Sequence, residues 1–294
     1  MSDVLAAPRE RSDVTRARVL RIPRPRLDLG RALSYLVLIA FSVIYLGPLL
    51  MLVNTALKTA PSFAKNPVGI ATALNFDNFA TAWSKANFPQ YLANSVLYAG
   101  VATVLFVITG VFVAVPIARR YIKGSNKLFV LFLIALFLPP ALVPQFQLML
   151  HLHLYNTQIG YILLFLVNPI GIVILVNYVK SIPRELDEAA ALDGCGYFRY
   201  VTRIVFPLIK PAIATVMVLH AIGIWNELVL ATIYLTNKNF YPITRGLIVF
   251  QGVYGNNWPL LAAAVLMMTL PMVFFFLFVQ RYIVGGVTAG SLKG

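Results

Sequence analysis

The stretch from Glu185 to Pro211 reads ELDEAAALDGCGYFRYVTRIVFPLIKP and lies between two segments, residues 159–179 and 212–234, that are each apolar enough to cross a membrane. A charged insert between two such segments has no place in hydrocarbon, so it meets water or a partner. Pro183 suits a first helical turn, and Glu185, Asp187 and Glu188 put negative charge where the helix macrodipole favours it. Gly194 then stops the helix, because glycine takes the left-handed cap conformation without a steric cost. Tyr197, Val201, Ile204, Val205 and Leu208 form one face of a second helix, which Pro207 and Pro211 are expected to end. The expectation is a short helix, a glycine elbow and a second short helix. On pattern alone, the same segment could also be an amphipathic loop lying on the membrane surface.

Working outward, the 294-residue chain is 60% hydrophobic and only 12% charged, and its mean hydropathy is +0.80. That is far from the roughly 25% charge of ordinary soluble domains. A hydrocarbon core of about 30 Å needs roughly 20 apolar residues as helix. Six segments satisfy this, near residues 32–53, 93–117, 128–150, 159–179, 212–234 and 260–283. The expected fold is therefore an all-α integral membrane protein of six transmembrane helices, with the two-helix insert 184–211 between the fourth and fifth.

The cations set the expected orientation. Eight Lys and Arg precede the first span, four lie between the second and third, five between the fourth and fifth, and two at or beyond the end of the sixth. Those are 19 of the 24, so both termini and the insert are expected in the cytoplasm. The net charge of +14 then reflects topology and contact with anionic lipid. Nucleic acid is not expected as a partner, because the basic tail also carries Asp3, Glu10, Asp13 and Asp28 and no aromatic residue for base stacking. Residues 1–31, rich in Arg and Pro, read as a disordered tail, residues 32–283 as the membrane domain, and residues 284–294 as a glycine-rich flexible C-terminal tail. The first span is too long for a signal-peptide core and is expected to be retained. Cys195 is the only cysteine, which excludes an intrachain disulfide and a metal site built on cysteine pairs.

Glu185 and Glu188-Ala189-Ala190, then Asp193-Gly194, then Ile204 and Pro207, closely resemble the EAA motif of ABC importer permeases. The resemblance implies that this loop grips a separate ATPase. Trp225-Asn226-Glu227-Leu228 resembles a signature of the sugar-importing branch of these permeases. The ending Gly286-Val287-Thr288-Ala289-Gly290-Ser291-Leu292-Lys293-Gly294, with Thr288, Ala289, Gly290 and Lys293 at the matching positions, resembles the close of the maltose-type family. Together these cover nearly all of residues 32–294. They imply a carbohydrate permease of a bacterial or archaeal plasma membrane, which is a transport subunit and not an enzyme. It would work with a second permease subunit in a heterodimer, two ATPase subunits and an extracytoplasmic sugar-binding protein. Cys195 departs from the pattern, which usually has alanine there; both are small, so the elbow is expected to survive.

No G-x-x-x-x-G-K-[ST] loop is present, so ATP and Mg are expected on the partner ATPase, with no cofactor in this chain. His151 and His153 have no carboxylate or third ligand nearby in sequence and read as surface histidines. Glu227 is the only acid placed inside a span, where a mid-bilayer charge costs about 2.5 to 3.5 kcal/mol. It either borders a translocation pathway with Trp225 and Asn226 or sits hydrated at the outer interface. Asn94, Asn168, Asn177 and His220 are expected to bond between helices. The outer segments, residues 55–88 and 237–259, carry Phe76, Phe79, Trp83, Tyr241, Tyr254 and Trp258, which suit either interfacial anchoring or partner docking. Pro48, Pro116, Pro139, Pro140, Pro169 and Pro271 within spans are expected to kink them. Two other classes stay open. An ion-coupled carrier would rest on Glu227 alone, and a membrane-embedded enzyme would need paired acids or metal ligands in the spans.

Overall fold

The structure, a computed structural model, describes residues 29–85, 87–250 and 257–291. Among them there is helix and loop but no strand. The tail before residue 29, Tyr254 and Lys293 lie outside the described residues. Residues Leu29–Leu49 form a unit described by itself, an apolar helical stretch in which Leu36, Ile39, Val43 and Ile44 are all exposed.

The chain order runs α1 (Leu29–Ala56), α2 (Ala60–Lys65), α3 (Asp77–Lys85), α4 (Phe88–Arg119), α5 (Ser125–Ala135), α6 (Leu142–His151), α7 (Gln158–Leu163) and α8 (Pro169–Lys180). It continues with α9 (Glu185–Leu192), α10 (Tyr197–Tyr200), α11 (Phe206–Leu208), α12 (Lys210–Trp225), α13 (Val229–Tyr234), α14 (Ile243–Gly246) and α15 (Trp258–Ser291).

Three of these helices, α1, α4 and α15, are continuous and apolar enough to cross a membrane. The expected third, fourth and fifth spans are each interrupted. The third breaks between α5 and α6 at Pro139-Pro140, where two residues in succession lack an amide proton. The fourth breaks between α7 and α8, where the Asn168 side chain accepts from the Gly171 amide at 3.0 Å and Pro169 opens the new helix. The fifth breaks at Asn226–Leu228, between α12 and α13. Interrupted backbone at membrane depth is tolerated where protein or a water-filled cavity surrounds it.

α4 is the helix against which α8 and α12 pack. Its 32 residues make a rod of about 48 Å at 1.5 Å per residue. Phe106, Val111 and Val115 pack with Leu175, Val176 and Val179 of α8 and with Val205, Ile209 and Val216 toward the elbow. Toward the other end, Phe88, Tyr91 and Tyr98 pack with Tyr161, Trp225, Tyr234 and Ile243. Gly171 of α8 sits close against α4: a Cβ there would lie 2.5 Å from Phe106 Cε1.

Polar bonds tie the same rod to its neighbours. Asn94 donates to the carbonyls of Asn239 at 2.8 Å and Tyr241 at 3.0 Å. Tyr98 donates to the Phe240 carbonyl, and Thr103 lies 3.3 Å from His220 Nδ1. Asn94 and His220 thus bond between elements as expected, Asn168 caps its own helix, and Asn177 is exposed. Beyond α1, Asn78 of α3 is buried and donates to the carbonyls of Ala56 and Lys58.

α15 differs from its expected end. It runs through Gly286, Thr288, Ala289 and Gly290 to Ser291, where composition suggests a flexible tail. Extending an existing helix adds one hydrogen bond per residue fixed, and no proline stands in the way.

Candidate functional site

The Glu185–Leu208 segment folds as an elbow, but its second limb is not what spacing alone suggests. α9 carries Glu185, Asp187 and Glu188 in its first turn. Gly194 takes φ +67°, and the Cys195 amide bonds back to the Ala190 carbonyl at 2.9 Å, closing the helix in the manner of a Schellman cap. No heavy atom lies within 4 Å of where a Gly194 Cβ would stand, so the glycine answers a backbone need and not a packing one.

The second limb runs from Tyr197 to Leu208 and includes a widened π-turn at Val201–Val205. There the Phe206 amide donates to the Val201 carbonyl five residues back. Pro207 does not end the limb. Its missing amide and its ring are accommodated by the wider turn before it, so helix continues to Leu208. The chain then turns by 82° at Ile209. Pro211 opens α12, in the first turn, where no amide donor is required.

The residues named from the motif divide by exposure. Glu185, Glu188, Ala189, Asp193, Gly194 and Pro207 are exposed. Ala190 is buried against Tyr200 and Val201, Ile204 is half-buried, and Cys195 packs half-buried beside them. Leu192 is 89% exposed at the tip. An acidic helix face with an apolar tip is thus turned out of the bundle.

The inner side of the elbow is clamped to the end of α4. Arg119 Nε lies 2.9 Å from Asp187 Oδ2, and Arg119 Nη1 donates to the Ile182 carbonyl at 3.0 Å. Tyr200 donates its hydroxyl proton to the other Asp187 oxygen. Burial, and then that bond to Asp187, push the Tyr200 ionisation upward, so the hydroxyl stays a donor through neutral pH. Tyr197 donates to the Phe112 carbonyl at 2.7 Å, and Phe198 stacks on the Phe112 ring at 5.4 Å. The sequence marks Asp187 only as a helix-start charge and gives no sign of Arg119 or Tyr200. Nothing local signals a pairing between positions so far apart in the chain.

Trp225 ends α12, and Asn226 and Glu227 lie in the break between α12 and α13. Glu227 is half-buried; its Oε1 accepts from the Leu230 amide at 2.9 Å, and its carbonyl accepts from the Thr244 hydroxyl at 2.9 Å. It lines a groove of about 420 Å³ together with Pro140, Leu142, Gln145 and Leu230. Two helix breaks, at Pro140 and at Glu227, thus face one cavity. The Tyr234 hydroxyl lies 3.3 Å from Oε1 of Gln145, one of the lining residues. Trp225 is buried and borders a separate apolar cavity of about 280 Å³ with Thr103, Met217 and Met272. Asn226 is exposed and bonds to the Ile222 carbonyl. The three signature residues are consecutive but do not share one pocket.

Thr288, Ala289 and Gly290 lie in α15, apart from the elbow in sequence. Among the described residues, no group of three His, Cys, Asp or Glu is placed to hold a metal ion.

Comparison with known proteins places these features in a family. The family model of the binding-protein-dependent transport system inner membrane component matches residues 24–288. The melibiose/raffinose/stachyose import permease protein MelC of Bacillus subtilis is 32% identical over 84% of this chain and 91% of its own length. The trehalose/maltose transport system permease protein MalG of Thermococcus litoralis is 29% identical over 90% of this chain and 98% of its own length. Among solved structures, a bacterial ABC transporter involved in import of the acidic polysaccharide alginate superposes with a TM-score of 0.78. It is 21% identical, over 86% of this chain and 96% of that one. A second, in complex with an alginate pentasaccharide-bound periplasmic protein, gives 0.59 at 18% identity, over 86% of this chain and 93% of that one.

Proposed function

The chain belongs to the binding-protein-dependent transport system inner membrane components, the ABC importer permeases, and from that premise we propose that it carries an oligosaccharide into the cytoplasm, driven by ATP hydrolysis in partner subunits. The observation that carries the coupling part of this reading is the elbow. Its exposed acidic face and Leu192 tip form a knob fit to seat in an ATPase cleft, while Asp187 and Ala190 hold its inner side to the bundle. The cation distribution, with 19 of the 24 Lys and Arg in the tails and the segments read as lying on the elbow's side, supports the reading that this side faces the cytoplasm.

The pathway is the groove between the two helix breaks. Gln145 and the remaining lone pairs of the Glu227 carboxylate can bond sugar hydroxyls, and Pro140 and Leu142 supply an apolar wall for a pyranose face. The groove is open on one side, and a second permease subunit would complete it, so the pocket belongs to the pair. Sugar class rests on the relatives: import of melibiose, raffinose and stachyose in one and transport of trehalose and maltose in another are named functions of similar chains.

The mechanism is alternating access. Two ATPase subunits close on ATP and Mg, draw their seated elbows together, and reorient the helices while a loaded binding protein is docked outside. Uptake of labelled oligosaccharides into liposomes holding both permeases and the ATPases tests this, with ATP supplied on the ATPase side or absent. ATP-dependent uptake that requires the binding protein supports the reading. Uptake driven by a proton or sodium gradient without ATP would establish the ion-coupled alternative.

A further inference from the structure

We propose that Arg119 and Asp187, braced by Tyr200, are positioning residues that make the elbow and α4 move as one piece, so that displacement of α9 reaches the opposite end of the bundle through α4. This rests on the functional reading above.

The clamp is buried. The side chains are 3% and 16% exposed, so salt screens them little. A buried ion pair adds little net stability over apolar side chains of the same volume, but losing one partner strands a buried charge, which holds the two side chains together. The Arg119 Nε contact to Asp187 is a close charge pair without hydrogen-bond alignment; the directed bonds are those of Nη1 to the Ile182 carbonyl and of the Tyr200 hydroxyl to Asp187. Here one guanidinium holds both the approach to α9, through the Ile182 carbonyl, and α9 itself, through Asp187. Tyr200 brings the second limb to the same carboxylate. The Tyr197 bond to Phe112 adds a further tie two turns higher on α4.

The other ways out of the elbow are poor rods. α8 has 12 residues and is cut off from α7 by the break before Pro169, while α11 and α12 meet at an 82° bend and α12 stops at Trp225. α4 continues unbroken to Phe88. At that end, Asn94, Ser95 and Tyr98 bond to backbone groups of Asn239, Tyr241, Ile243 and Phe240. The segment they hold runs into α14, whose Thr244 bonds to the Glu227 carbonyl. A push on α9 therefore has a continuous set of bonded contacts to the groove.

The test uses the whole complex in liposomes with its binding protein. Replacing both partners, Arg119→Met with Asp187→Leu, removes the ion pair without leaving a lone buried charge. The ATPase should still co-purify in wild-type ratio, while stimulation of ATP hydrolysis by sugar-loaded binding protein falls about tenfold, within the range by which residues remote from both sites alter coupling. Tyr200→Phe, which keeps the ring, should give a smaller fall of the same kind, and Arg119→Lys should retain more stimulation than the double variant. Wild-type stimulation in the double variant overturns the proposal, and so does loss of ATPase co-purification, which would make the pair part of the docking surface. Failure of the functional reading looks different: the wild-type complex itself would show no response to loaded binding protein, and both readings would fall together.

Discussion

The Glu227 carboxylate accepts the amide proton of Leu230 at 2.9 Å, and so caps the short helix α13 that follows the break after α12. The same acid lines the groove, and a carboxylate at a helix start is favoured by the exposed amides there. Glu227→Ala removes both the cap and the proposed sugar contact. Loss of a capping acceptor costs about 1 kcal/mol locally. The expected result is a several-fold drop in uptake with the assembled complex recovered in normal amount. Glu227→Gln keeps an acceptor oxygen and should lose less. Equal uptake by wild type and Glu227→Ala would remove the residue from the pathway.

Gly194 makes a sharper prediction because its surroundings are empty. With φ +67° and no neighbour within 4 Å of where a Cβ would stand, Gly194→Val meets no clash but must hold a β-branched residue in the left-handed region, at roughly 1–2 kcal/mol. Gly194→Asn, which visits that region readily, should be tolerated. The check is ATPase co-purification together with hydrolysis stimulated by loaded binding protein, weakened for Val and near wild type for Asn. If Val behaves as wild type, the left-handed turn is not the joint.

The close approach at Gly171 predicts a pure packing defect. Gly171→Ala would place its Cβ 2.5 Å from Phe106 Cε1, and because both helices are held in the main core the ring cannot swing clear at no cost. A destabilisation of about 1–3 kcal/mol is expected for such overpacking, seen as a lower thermal midpoint in detergent. An unchanged midpoint would mean that α8 shifts freely along α4.

How much of the fold and site is legible in the sequence depends on range. Gly194 can be read because a cap is decided by a few neighbouring residues. Pro207 misleads for the complementary reason: proline forbids one bond, but the turn before it can widen, and only the packed structure decides between stopping and widening. Apolar content finds the spans and hides their breaks, since an average over about 20 residues absorbs Pro139-Pro140 or Asn226-Glu227 without a trace. The Arg119–Asp187 pair is out of reach, because which buried cation meets which carboxylate is a property of how α4 and α9 pack.

Topology can be tested at the elbow tip. Cys195 is half-buried, so Leu192→Cys in a Cys195→Ala background offers a better handle at a position 89% exposed. A membrane-impermeant maleimide should label it in inverted vesicles and spare it in intact cells. Labelling from outside would reverse the orientation drawn from the cation distribution.

The central claim is that the exposed face of α9 seats in the ATPase, and the most direct measurement is cross-linking from that same Leu192→Cys in the assembled complex. A short photoactivatable reagent on this thiol should yield an adduct with the ATPase subunit, in a yield that changes when ATP is bound. A control cysteine at Asn237, at the far end of the bundle, should yield none. Absence of an ATPase adduct from position 192, or its appearance from position 237 instead, would contradict the account.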